Sequence, residues 1–170
     1  MKQKKLLLLG GSAQQVVAIK TAKELGYYTV LCDYLPDNPG QYVADKYYNA
    51  STTDVEAVYK IAKEEQVDGI LAYASDPAAL PGAIVAERLG LPTNPAKSVE
   101  VLGLKYPWRQ FLRNNGFACP KFYSFHPQTP INKIVEAAKD LIFPVIVKPT
   151  DSSGSKGVTK LDNWEGLEQA

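Results

Sequence analysis

Apolar positions along this chain fall into short continuous runs, separated by longer stretches where they recur every three or four residues. Leu6-Leu7-Leu8-Leu9 is the first run, Tyr28-Thr29-Val30-Leu31-Cys32 the second and Ile70-Leu71-Ala72-Tyr73 another. Runs of this kind, bounded by turn residues, predict strands buried on both faces. Between them, Val16, Val17, Ala18, Ala22 and Leu25 lie at helical spacing and are closed by Gly26. A second helix is predicted from the Thr53/Glu56 pair, which has capping-box spacing, to about Gln66. A brief strand is predicted around Lys46-Tyr47-Tyr48. Ser75-Asp76-Pro77 opens a further helix, with proline tolerated in the first turn. Strands and helices alternating in this way predict right-handed βαβ units and a parallel sheet over residues 1–93.

The rhythm then changes. Pro92-Thr93-Asn94-Pro95 begins a helical linker over 94–117, with helical patterns at about 98–104 and 106–115. From 118 to 170 the pattern reads strand (121–125), helix (capped by Thr129, on to about 141), strand (144–148), loop and strand (158–161). Residues 162–170 could begin a helix. The fold class is therefore α/β, a Rossmann-like parallel-sheet domain followed by an incomplete α+β domain.

Composition narrows the classes. Among 170 residues, 45% are hydrophobic and 22% charged, which predicts a packed core. Net charge is +1, with Lys and Arg scattered, so the basic footprint of a nucleic-acid binder is lacking. The start, MKQKKLLLLGG, imitates a secretory leader, but its apolar run breaks at Gly10-Gly11, short of the ~7–15 residues such a leader needs. No segment approaches the ~18 apolar residues of a membrane span. Cys32 and Cys119 have neither metal nor redox spacing, and so few thiols suit a reducing compartment. The expectation is a cytoplasmic protein with no membrane or nucleic-acid partner. His126, beside Pro127, reads as a loop residue.

Two regions carry candidate chemistry. Gly10-Gly11-Ser12-Ala13 is a strand-to-helix turn of small residues, which suits either an anion or a tight turn alone. Asp33 ends the second strand, where a ribose-binding acid sits in dinucleotide folds. The GxGxxG fingerprint is not met, so an NAD-binding oxidoreductase domain is the weaker reading. Gly11, Asp33, Ser75 and Asp76 all fall at carboxyl ends of predicted parallel strands, where ligands of open sheets bind. Ser75 and Asp76 equally suit helix caps.

The other region is Val145-Ile146-Val147-Lys148-Pro149-Thr150-Asp151-Ser152-Ser153-Gly154-Ser155-Lys156-Gly157-Val158, a strand handing over a lysine and then small hydrogen-bonding residues. It is no Walker loop, because GxxxxGK[ST] is not satisfied. Hydroxyls and glycine amides there can wrap phosphate oxygens, and a lysine supplies a mobile point charge.

This stretch, with Phe143-Pro144 before it, resembles the phosphate-covering region of the ATP-grasp superfamily. Leu104-Lys105-Tyr106-Pro107-Trp108-Arg109-Gln110-Phe111-Leu112 and Asn115-Gly116-Phe117-Ala118-Cys119-Pro120 resemble its lysine-bearing helix and small-domain entry. The similarity runs through the chain in the family's order, and its flavour is that of carbamoyl-phosphate synthases and carboxylate-amine ligases. It departs at Leu104, where many members carry an acid. The resemblance implies that Lys105 and Lys148 contact ATP phosphates. Ser153, Gly154, Ser155 and Gly157 would belong to the covering flap, and Gly11, Asp33 and Asp76 would contact substrate. It further implies a ligase using MgATP to activate a small-molecule carboxylate as an acyl phosphate, with the magnesium ligands beyond residue 170. The chain alone would then be inactive, needing the rest of its ATP-grasp domain in cis or in trans. The alternative is a nucleotide-binding or assembly subunit of a split protein. Exposed sheet edge in an incomplete second domain would favour homo-oligomers.

Overall fold

The computed structural model describes residues 2–152 and 154–169, which form two compact units divided between Gly103 and Leu104. In the first, β1 (Lys5–Leu9), β2 (Tyr28–Asp33), β3 (Lys46–Asn49) and β4 (Gly69–Leu71) make a sheet in the order β3-β2-β1-β4. Every pairing is parallel, and Leu7 stands opposite both Val30 and Ile70.

The continuous apolar runs are explained by helices on both faces. Leu7, Leu9 and Val30 pack with Val58 and Ile61 of α2 (Val55–Glu65) and Val85 of α3 (Asp76–Arg88). Leu8 and Leu31 point the other way, onto Ile19 of α1 (Val16–Glu24). The chain runs from β1 to β2 and β3 on one side, then crosses from β3 to β4 on the other side of β1. The carboxyl end of β1 therefore borders a topological switch point, the place where open parallel sheets bind ligands.

Local chemistry moves one predicted cap. Asp54, not Thr53, caps α2, accepting N–H bonds from Glu56 and Ala57 at 3.0 Å each. A carboxylate at the positive helix end serves both N–H groups, while the Thr53 hydroxyl pairs with Ser51 instead. The helical stretch expected over 94–117 is shared between the units. α4 (Ala96–Gly103) belongs to the first, where the Ala96 N–H donates to Glu87 Oε1 at 2.9 Å. α5 (Lys105–Asn114) belongs to the second.

The second unit also holds α6 (Ile131–Ala137) and an antiparallel ribbon of β5 (Val145–Val147) and β6 (Thr159–Leu161). The strand expected over 121–125 does not form, since no neighbouring strand offers it a ladder among the described residues. Its side chains are used locally instead. The Tyr123 hydroxyl donates to Asp140, and the Tyr123 and Phe125 rings stack 6.2 Å apart. The strand predicted at 144–148 forms as β5, with Ile146 54% exposed. A two-stranded ribbon leaves one face uncovered. Residues 164–169 form a 3-10 turn whose Trp164 packs edge-on against Phe143 at 4.9 Å. Among the described residues, no helix is long and apolar enough to cross a membrane.

Candidate functional site

The turn after β1 is built by tight packing rather than left open. Gly10 adopts φ +104, where a side chain would be strained, and a Cβ there would collide with the Gln15 amide. Gln15 is buried and bridges three segments. Its Oε1 accepts from the Ser12 N–H at 2.9 Å, and its Nε2 donates to the carbonyls of Leu9 at 3.4 Å and Tyr73 at 2.9 Å. The loops after β1 and β4 are thus pinned together. Next to Tyr73, Ala74 is held at φ +50, an uncommon conformation for a residue bearing a Cβ.

Asp33 fixes the loop after β2. It is 5% exposed. Its Oδ2 accepts from the Gly11 N–H at 2.6 Å and the Asn38 amide at 2.7 Å, and its Oδ1 accepts from the Leu35 N–H at 2.9 Å. The Gly11 N–H is therefore already engaged by a carboxylate. Gly11 and Asp33, grouped in the sequence at the strand carboxyl ends, are joined directly. Asp76 stands apart from it, exposed at the first position of α3.

A cavity of about 530 Å³ opens at these carboxyl ends. The loops after all four strands line it, through Gln15, Asp33, Asn38, Thr52 and Ser75 among others. Gln15, Asn38 and Thr52 were not singled out from sequence. The Ser12-x-x-Gln15 spacing, a helix-start signature, was the available signal for the first. The other two carry none.

In the second unit the structure gathers Lys105 and the start of the loop between β5 and β6. The Lys105 N–H donates to the Thr150 carbonyl at 3.0 Å, and its ammonium bonds the Ser152 carbonyl. Lys148, just past β5, is exposed and has no hydrogen-bond or ion-pair partner among the described residues. Gly154, Ser155 and Gly157 all adopt left-handed conformations, at φ +65, +59 and +67. Consecutive turns of this kind aim backbone N–H groups inward, as anion-binding loops do. Ser153 lies outside the described residues. Lys105 is thus bonded at the root of a tightly turned loop of small residues that Lys148 precedes in sequence. Among the described residues no group of three or more His, Cys, Asp and Glu could hold a metal ion.

No family model matches the chain. It is 28% identical to formate-dependent phosphoribosylglycinamide formyltransferase of Prochlorococcus marinus, over 98% of this chain and 42% of that protein. With phosphoribosylamine–glycine ligase of Pyrococcus abyssi it shares 33% identity, over 98% of this chain and 39% of that protein. Among solved structures, N5-carboxyaminoimidazole synthetase from Staphylococcus aureus, complexed with ADP, superposes with a TM-score of 0.78 at 21% identity. That likeness covers 99% of this chain and 44% of that one. An L-amino acid ligase from Bacillus licheniformis gives 0.77 at 22% identity, covering 99% and 41%. This chain resembles the ATP-grasp ligases, the group to which its homologues belong. It corresponds to the amino-terminal portion of the ATP-grasp ligases, a Rossmann-like domain followed by the start of the ATP-grasp domain. The chain spans about two fifths of the length of the curated relatives it matches.

Proposed function

We propose that this ATP-grasp chain serves an ATP-dependent ligase that activates a small-molecule carboxylate. The γ-phosphoryl group would pass to a carboxylate oxygen, ADP would leave, and a nucleophile would then displace phosphate from the acyl phosphate. Lys105 and Lys148 neutralise phosphate charge in this reading, and Gly154, Ser155 and Gly157 cover it. The cavity at the carboxyl ends of β1–β4 takes substrate, with Asp33 and Gly11 holding its wall and Asp76 at its margin. The observation that carries the reading is the Lys105 ammonium bonded at the root of a left-handed loop, in a chain similar to phosphoribosylamine–glycine ligase over 98% of its length. Positioning and charge neutralisation are most of what phosphoryl transfer requires of a protein. Magnesium has no donor set among the described residues.

The test is ADP release from MgATP by the full-length protein, with formate, glycine or mixed L-amino acids as the carboxylate. Carboxylate-dependent ADP release that falls at least tenfold in both Lys105→Ala and Lys148→Ala is the expected result. Release that ignores the carboxylate, or that survives both substitutions, overturns the proposal.

A further inference from the structure

The cavity in the first unit has an unusual charge balance. Asp33 lines it, is 5% exposed and forms no ion pair among the described residues, its three side-chain partners being neutral N–H groups. None of the residues lining the cavity is Lys, Arg or His. The remaining polar lining is neutral, with the Gln15 and Asn38 amides and the Ser51, Thr52 and Tyr34 hydroxyls. A carboxylate withdrawn from water with no counter-cation sets a negative potential that nearby water screens poorly. A phosphate placed there would face that carboxylate with only neutral donors to hold it. An ammonium would neutralise it, and hydroxyls on the same ligand would find matching amides and hydroxyls on the wall.

We infer that this cavity takes an unphosphorylated, hydroxyl-bearing primary amine and discriminates against its phosphorylated counterpart. The inference rests on the proposal that the cavity is the ligase's substrate site, and it names the class of group bound there. It separates this chain from relatives whose names specify phosphoribosyl compounds. Thr52 is the position at which to invert the selectivity. It lines the cavity, is half-buried and makes no hydrogen bond among the described residues, so a longer side chain there breaks no existing bond.

The experiment is a nucleotide-free titration of the full-length protein, followed by amide chemical shifts, with three matched probes at pH 7. These are glucosamine, glucose and glucosamine 6-phosphate. Glucosamine is expected to shift the amides around Gly10–Gln15 and Ser51–Thr53 and to bind at least tenfold more tightly than either other probe. Thr52→Lys, which adds a cation, should reverse the order of glucosamine and glucosamine 6-phosphate, while Thr52→Gln should preserve it. Absence of glucosamine binding, equal or tighter binding of the phosphorylated probe, or a Thr52→Lys variant with unchanged order overturns the inference. No nucleotide is present, so this outcome is independent of ADP release. Amine selectivity without carboxylate-dependent ADP release would defeat the ligase reading alone, and ADP release with phosphate-preferring binding would defeat this inference alone.

Discussion

The backbone N–H of Gly11 donates to Asp33 Oδ2 at 2.6 Å, joining the loops after β1 and β2 across 22 residues of sequence. Asp33 also accepts from Asn38 and Leu35. The carboxylate ties two loops together while lining the cavity.

Asp33→Ala leaves the buried Gly11 N–H and the Asn38 amide without their acceptor. Unsatisfied buried donors cost about 1–3 kcal/mol each, so a loss of roughly 2–4 kcal/mol is expected in urea unfolding. A loss under about 0.5 kcal/mol would show that solvent or a rearranged loop replaces the carboxylate.

Gly40→Ala tests the same junction from the opposite side. A Cβ at Gly40 would lie 2.7 Å from Gly11 Cα and 2.8 Å from its carbonyl oxygen, so backbone must move. The expected cost is roughly 1–3 kcal/mol, with chemical-shift changes centred on Gly10–Ser12 rather than on Gly40 alone.

Acid stability should depend on Glu65. Hydrogen bonds from Lys46 and the Tyr48 hydroxyl hold its carboxyl down, from the ordinary 4.5 to about 2, against the opposing effect of burial, and Lys5 adds a further bond at 3.0 Å. A pKa depressed on folding contributes stability that is present above the unfolded value and lost as pH falls through the folded one. Unfolding free energy should therefore decline between about pH 4.5 and 2. Glu65→Gln should flatten that decline, and an unchanged slope would remove Glu65 from the account.

The two thiols should differ sharply. Burial, helped by the Asp33 and Asp54 carboxylates, pushes the Cys32 thiol up to about 12, and Cys32 is fully buried. Cys119 is only partly buried. Native protein at pH 8 should take up one equivalent of iodoacetamide within this chain, at Cys119, and two in denaturant. Mass-mapped labelling of Cys32 in native protein would show that the sheet opens readily.

Gly157→Ala should loosen the covering loop. Gly157 holds φ +67, and a Cβ there would sit 2.9 Å from Pro149 Cγ. The left-handed conformation alone costs a non-glycine residue roughly 1–2 kcal/mol. Faster proteolysis within 150–158 and weaker ATP binding by the full-length protein are expected. Unchanged cleavage would mean that the loop does not depend on this turn.

Much of this architecture was legible in the chain. Leu6-Leu7-Leu8-Leu9 and Tyr28-Thr29-Val30-Leu31-Cys32 marked strands covered on both faces, because only a sheet sandwiched by helices leaves no polar face to display. The small residues and the two glycines after Val147 marked a tightly turned loop. Those properties are local, and composition and spacing report them directly. The strand expected over 121–125 failed for the complementary reason: a strand exists only when another strand supplies its ladder, and alternation within five residues cannot say whether one is adjacent. What only the tertiary structure decided is the identity of the cavity wall. Gln15 bonds the Tyr73 carbonyl 58 residues away, and Asp33 bonds Gly11. These contacts exist because β1 lies between β2 and β4, a strand order that brings distant loops to one edge and leaves no trace in the periodicity of any one of them.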